Sequence, residues 1–486
     1  MNKLYSNNKT KVIDRLAAEY LGVDSFELMQ LAGAAVYEHL KGLSKILVVT
    51  GPGNNGGDGF VIAELARREG QAVKVLALCP VDKLQGDARL VAEQYHGELL
   101  AWETDAQFND HEFDVVVDAI FGTGLSKEVK QPYADVIAWL NQQVAPVIAV
   151  DIPSGLNGST GKIEGMAVKA SRTVSILAPK TGLHSLDGKD CCGEVLYESL
   201  GVAESAYQGV QADGCLLNVE MLQRIPDKRQ HNSHKGQFGH VITAGGQTGM
   251  LGAVILAARA VLKSGAGSTT VITEVSHSNL LPLHAPEIMS CGYNEQIGAD
   301  LVFDLLQKRP ADVLLLGMGL GQSPWSKSLF KNCLATGVPL VVDADGLNLL
   351  SRSPKVPDHL QVITPHPKEA AVLLNCEVTD IQNNRWQAVN SLAQKFNCVA
   401  ILKGSGTLIA DGDNAWCCPY GNANLATAGT GDVLAGMVAG LMGQGFDALQ
   451  AAQLAVVWHA VAGEDSRFGL SMTASDLLNT LHEVWP

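Results

Sequence analysis

Short apolar runs alternate with stretches of helical periodicity along almost the whole chain. Lys45-Ile46-Leu47-Val48-Val49-Thr50 is apolar and β-branched after its first position, the pattern of a strand covered on both faces. Val73 to Leu78, Asp114 to Val117 and Pro146 to Val150 repeat it. So do Gly239 to Ala244, Ala311 to Leu316, Pro339 to Val342, Gln361 to Thr364 and Val399 to Leu402. Between them, apolar positions at helical spacing predict helices over Met1 to Leu40, from Phe60 to Gly70 and from Leu251 to Ser264. Strands alternating with helices imply parallel, doubly wound sheets with right-handed crossovers. The pattern weakens between Tyr197 and Gln230, which places a boundary near residues 210–222 and predicts two α/β domains, 1–215 and 222–486. They share an architecture but no detectable repeat.

In such sheets ligands bind beyond the carboxyl ends of the strands. Gly51-Pro52-Gly53-Asn54-Asn55-Gly56-Gly57-Asp58-Gly59 follows the first strand as a predicted Gly-rich loop. Its paired amides and single acid are unusual in a plain phosphate loop and offer oxygen ligands; an Asn-Gly turn needs no ligand at all. Asn55, Asp58, Asp118, Asp151 and Ser154 all fall just past strand ends and are expected to share one crevice. In the second half, Gly317 to Gly321, Asp343-Ala344-Asp345-Gly346 and Pro365-His366-Pro367 end strands in the same way. Lys403-Gly404-Ser405-Gly406-Thr407 is a flexible cationic turn suited to a nucleotide phosphate. Gly429-Thr430-Gly431-Asp432 turns a small-residue loop into a helix whose first amides can hold an anion. Asp432 there either caps the helix or takes a proton from a hydroxyl meeting a phosphoryl group.

Length and composition narrow the picture. At 486 residues the chain exceeds one hydrophobic core, and 47% hydrophobic against 17% charged residues excludes a disordered protein. A net charge of −15 argues against nucleic acid and anionic membranes, so a phosphate must be held by local amides and a few cations. The ten cysteines include no C-x-x-C pair, so neither a zinc cluster nor a thioredoxin-like site is indicated. Without a signal-peptide pattern or a run long enough to span a bilayer, a reduced, cytoplasmic protein is expected.

The strings Asn54 to Gly59, Asp118 to Gly124 and Asp151-Ile152-Pro153-Ser154-Gly155 resemble the NAD(P)H-hydrate epimerase family, with its Rossmann-like sheet, over residues 1–210. The resemblance implies that Asn54, Asn55, Gly56, Gly57 and Asp58 hold a damaged nicotinamide nucleotide. Gly122, Thr123, Gly124, Leu125, Ser126, Lys127, Glu128 and Asp151 complete that set, and Asn55, Asp118 and Ser154 ligate a potassium ion. Gly319 to Gly321, Lys403 to Thr407 and Thr430-Gly431-Asp432 resemble the ribokinase-like fold, and within it the ADP-dependent NAD(P)H-hydrate dehydratases, over about residues 222–486. That implies Ala253, Gly319, Gly321, His366 and Asp432 facing the hydrated nucleotide. Lys403, Gly404, Ser405, Gly406, Thr407 and Gly431 would hold ADP. The family commonly has Gly where this chain has Lys368, so a different turn is expected there. The whole chain resembles the bifunctional repair enzymes in which both domains are fused.

The resemblance implies a substrate, hydrated NADH or NADPH, that carries a hydroxyl at C6 in either epimer. Asp151 would assist departure and return of that hydroxyl in the first domain. In the second, Asp432 would deprotonate it for transfer of the β-phosphoryl of ADP, giving AMP and then phosphate. Magnesium is expected with ADP, with Asp343 and Asp345 as its candidates, and a homo-oligomer is expected. Two other readings remain: an ATP-dependent small-molecule kinase of the ribokinase-like fold, which leaves the first half unexplained, and a non-catalytic nucleotide sensor.

Overall fold

The computed structural model describes residues 3–102, 112–226, 228–294, 298–465 and 467–484. Met1 and Asn2, where the first helical pattern opens, and Trp485 and Pro486, where the second domain closes, lie outside the described residues. The chain falls into two compact units, one ending at Cys215 and the other beginning at Leu216.

The first unit holds seven parallel strands. Across the sheet they run Glu98–Ala101, Ala72–Ala77, Lys45–Thr50, Val115–Ala119, Val147–Val150, Arg172–Ile176 and Glu194–Glu198. Counted along the chain this is 3-2-1-4-5-6-7, the Rossmann order with one strand added. Successive side chains of a strand point to opposite faces. Ile46 and Val48 therefore join Met29, Phe60 and Ile62 in one core, while Leu47 and Val49 join Val136, Ile137 and Leu140 in the other. Each such fully buried side chain contributes about 1.5–3 kcal/mol.

The expected helix over residues 1–40 is two helices, Asn7–Leu21 and Ser25–Glu38, broken at Gly22 (φ 69°) and restarted by a capping box between Asp24 and Glu27. The helix expected from Phe60 begins six residues earlier, as Asn54–Arg68. Its glycines are required by packing rather than by a loop. A Cβ on Gly56 would stand 2.1 Å from the Gly51 carbonyl oxygen, and one on Gly59 2.7 Å from Ala119 Cβ.

The second unit's strands run Ala415–Cys417, Leu408–Ala410, Val399–Leu402, Leu360–Ile363, Leu340–Val342, Val313–Leu316, His240–Ala244, Ser268–Glu274 and Met289–Tyr293. The last seven are parallel; Leu408–Ala410 pairs antiparallel with Val399–Leu402, and Ala415–Cys417 antiparallel with Leu408–Ala410. Leu251–Lys263 packs against Thr430–Gly443 at backbone distance: a Cβ on Gly436 would lie 2.2 Å from the Ala257 carbonyl oxygen. The apolar helix Ala448–Gly463 is buried almost end to end, with Trp458 Nε1 donating to the Leu481 carbonyl at 2.8 Å. Among the described residues no helix is long and apolar enough to cross a membrane.

Candidate active sites

In the first unit the turn after Lys45–Thr50 is cramped, a Cβ on Gly51 meeting the Ile120 carbonyl at 2.0 Å. The helix N-terminus at Asn54 is thereby pressed against the ends of two strands. A cavity of about 1020 Å³ opens there. Asn54, Asn55, Asp58, Gly122, Thr123, Gly124, Leu125, Ser126, Lys127 and Asp151 all line it. Gly56 and Gly57 lie behind its wall, packed on Gly51 and Met29, and the Glu128 side chain is turned toward Gly165.

Asp118, expected just beyond a strand, is the fourth residue of Val115–Ala119 and fully buried. Its carboxylate accepts from Ile120 N (3.2 Å), Ser154 N (2.7 Å) and Ser154 Oγ (2.6 Å). Burial pushes its pKa up to about 6 against those bonds. Asn55, buried against Gly122, has an amide Nδ2 with no hydrogen-bond partner.

Asp151 holds a left-handed backbone (φ 65°), which costs a non-glycine residue about 1–3 kcal/mol. Lys180, which the sequence reading did not single out, holds it there. The buried Lys180 ammonium donates to Asp151 Oδ1, to Ser175 Oγ (3.2 Å) and to the Ile176 carbonyl (2.7 Å). Ile176 N adds a second bond to Asp151 Oδ1 at 3.0 Å, so both bonds fall on one oxygen. Asp14 and Asp58 line the same cavity. Burial raises the Asp14 pKa to about 6, and burial with the charges of Asp151 and Asp14 holds Asp58 well above the carboxylate range. Within the cavity Asp14, Asp58 and Asp151 thus share the charge of Lys180.

The second unit has a comparable core. Asp343 follows the strand Leu340–Val342, and its Oδ1 takes Lys403 Nζ at 2.8 Å. Glu369 Oε2 lies 4.0 Å from the same ammonium, and a Cβ on Gly431 would lie 3.2 Å from it. Burial, the charges of Asp343, Glu369 and Asp345, and the opposing pull of Lys403 set the Asp432 pKa at about 7. Burial likewise lifts Glu369 to about 7. Thr430 begins the helix after Gly429 (φ 91°), with its Oγ1 bonded to the Leu425 and Thr427 carbonyls.

His366 caps the helix Pro367–Leu374: its Nδ1 accepts from Lys368 N (3.1 Å) and Glu369 N (3.2 Å), and Glu369 Oε2 accepts from His366 N (2.8 Å). An accepting Nδ1 requires the neutral ring, consistent with the lowering of its pKa by burial and by Lys403. Lys368 sits in the first turn of that helix without positive φ, so the backbone there does not demand glycine. A Cβ on Gly319 would lie 3.2 Å from Ala253 Cβ, which puts those two side by side, and Gly321 N donates to Asp345 Oδ2 at 2.8 Å. Asp343 and Asp345 are therefore already engaged by protein groups. Among the described residues no three His, Cys, Asp or Glu side chains are grouped to hold a metal ion.

The fold and the two sites define a two-unit α/β protein with a buried cluster of acids and one lysine in each unit. A family described as NAD(P)H-hydrate dehydratase matches residues 241–483, and one described as YjeF-related protein N-terminus matches residues 25–182. The bifunctional NAD(P)H-hydrate repair enzyme of Coxiella burnetii is 40% identical over 472 residues, 96% of this chain and 95% of that protein. The Escherichia coli enzyme of the same description is 35% identical over 97% of this chain and 92% of its own length. The structure of the ADP/ATP-dependent NAD(P)H-hydrate dehydratase of Bacillus subtilis is 27% identical with a TM-score of 0.51, covering 56% of this chain and 98% of that one. The chain belongs to the family of bifunctional NAD(P)H-hydrate repair enzymes, joining epimerase and dehydratase activities in one polypeptide.

Proposed function

We propose that residues 1–215 epimerise the C6 hydroxyl of hydrated NADH and NADPH, and that residues 222–486 dehydrate the S epimer at the expense of ADP. The observation that carries this reading is Asp432: a carboxylate at a helix N-terminus, titrating near neutrality, beside the lysine of the candidate nucleotide loop. Hydroxide is a poor leaving group. Asp432 removes the proton of the C6 hydroxyl as its oxygen bonds to the β-phosphorus of ADP, and the bond to the departing AMP breaks. Helix amides at Gly429 to Gly431 and the Lys403 ammonium stabilise the charge in transit. The ring nitrogen then expels phosphate from C6, and loss of a C5 proton restores the double bond. Ala253, Gly319, Gly321 and His366 form the nicotinamide side of this site, and Lys403 to Thr407 with Gly431 the ADP side.

In the first unit Asp151, with its Oδ1 committed to Lys180 and Ile176 N, has Oδ2 left to assist departure and return of the hydroxyl. The segments 54–58 and 122–128 hold the nucleotide. The residues fit a potassium ion: Asp118 is a buried carboxylate with no cationic side chain among its partners, Ser154 Oγ is bonded to it, and a flip of the unpartnered Asn55 amide presents its oxygen. Such an ion supplies fixed positive charge to the nucleotide's phosphates. Magnesium enters with ADP as part of the substrate, since Asp343 and Asp345 are already engaged.

The test follows recovery of reduced-nicotinamide absorbance from hydrated NADH with ADP, with ATP, and with neither. ATP is included because the B. subtilis protein was co-crystallised with ATP and Mg2+. Recovery of both epimers with ADP is expected. No recovery with either nucleotide refutes the reading.

A further inference from the structure

Arg385, at the start of the helix Arg385–Phe396, is 1% exposed and meets the candidate nucleotide loop from the protein's interior. Its Nη2 donates to the carbonyls of Leu402 (3.3 Å), Lys403 (3.5 Å) and Gly406 (3.3 Å), and its Nη1 to Gln382 Oε1 (3.3 Å). Its Nε is buried without a hydrogen-bond partner. Among the described residues no carboxylate pairs with it. Burial lowers its pKa to about 10, which still leaves the guanidinium charged at neutral pH. Buried charges are normally paired. This one is met by the carbonyl dipoles of the loop and by the amide oxygen of Gln382.

The loop is shaped to the guanidinium. Gly404 has φ +142°, and a Cβ there would stand 2.5 Å from Arg385 Nη1. Gly406 is also left-handed (φ 63°). Gly404 and Ser405 are exposed, so the segment has an arginine against its carbonyls and solvent beside its tip.

We propose that Arg385 is a positioning residue for the nucleotide: it clamps the carbonyls of residues 402–406 and supplies a buried positive charge that a phosphate on the loop completes. The inference rests on the reading that Lys403 to Thr407 holds ADP. Attraction between the guanidinium and a bound phosphate is only partly screened there, because one partner is buried. Arg385 therefore acts on ADP and not on the hydrated nicotinamide, which the first reading gives to other residues.

The test uses the full chain with Arg385→Gln, which keeps donors without charge, and Arg385→Lys, which keeps charge without the fork. KM for ADP, KM for the hydrate, the dehydration kcat and the unfolding midpoint are measured, with the epimerase rate as an internal control of folding. Arg385→Gln is expected to raise the KM for ADP about tenfold, as loss of a charge-assisted contact does, with the hydrate KM and the epimerase rate within about twofold. Arg385→Lys is expected to show the same split at about threefold, and decides the matter if the Gln variant does not fold. An unchanged ADP KM, or both KM values rising together as the midpoint falls, overturns the proposal. Lys403→Met and Thr407→Ala are run beside them. If these raise the ADP KM and the Arg385 variants do not, only the role of Arg385 falls; if none of the four raises it, the loop is not the ADP site.

Discussion

Asp432 titrates near 7 because it is buried among acids with only Lys403 to offset them. A base must be ionised to accept a proton, so dehydration should lose activity on the acid side of neutrality. A group with a pKa of about 7 is roughly nine-tenths ionised at pH 8 and one-eleventh at pH 6, a fall of about tenfold in kcat/KM. An ordinary aspartate at 3.8 would give no fall over that range. Glu369 titrates at about 7 in the same network, so the limb belongs to the cluster as a whole. Asp343→Asn separates the cluster from the substrate. It removes the charge that raises Asp432 most after burial and frees Lys403 for it, so the limb should move down by about one unit. The assay is kcat/KM for the hydrate at saturating ADP from pH 5.5 to 9, on both proteins. A level profile between pH 6 and 8, or a limb that stays in place in Asp343→Asn, refutes the reasoning.

The same burial has a stability sign. A carboxylate whose folded pKa is raised weakens the folded state as pH climbs from 3.8 to about 7, and Asp432→Asn should therefore stabilise the second unit at pH 8 but not at pH 4, by at most about 4 kcal/mol. Urea midpoints at the two pH values check it, and equal shifts at both contradict it. Lys180→Met leaves Asp151 without its cation beside two further acids, and a loss of about 3 kcal/mol in the first unit is expected. Adding Asp151→Asn should recover part of that loss, and additive losses in denaturant melts would argue against the pairing. Epimerase activity should be higher in potassium than in choline chloride, and Asp118→Asn should abolish the difference; an equal response in the variant removes Asp118 from the cation site.

The strands that carry the sites were legible because fully covered strands must be continuously apolar, as in Lys45–Thr50 and Val399–Leu402. Arg172–Ile176 was not, since Thr173 and Ser175 interrupt its apolar positions although both are buried; Thr173 Oγ1 spends its bond on the Cys192 carbonyl. The start of Asn54–Arg68 was misplaced because three glycines read as loop, and their reasons lie on other segments: the Gly51 carbonyl, Met29 and Ala119. At the sites, residues borne on short motifs could be found, while their partners could not. Lys180 and Arg385 belong to no motif, and their contacts reach 29 and 17 to 21 residues along the chain. Lys180 follows the strand that the apolar pattern did not show, so its place past a strand end gave no signal.

Every residue proposed for epimerisation lies before Cys215 and every residue proposed for dehydration after Leu216. What the single polypeptide adds is then a matter of dosage: one epimerase is made for each dehydratase, whatever the level of expression. A cell that lost half of its copies would lose the two activities in step, and the epimer that the dehydratase cannot use would not accumulate for want of its converter.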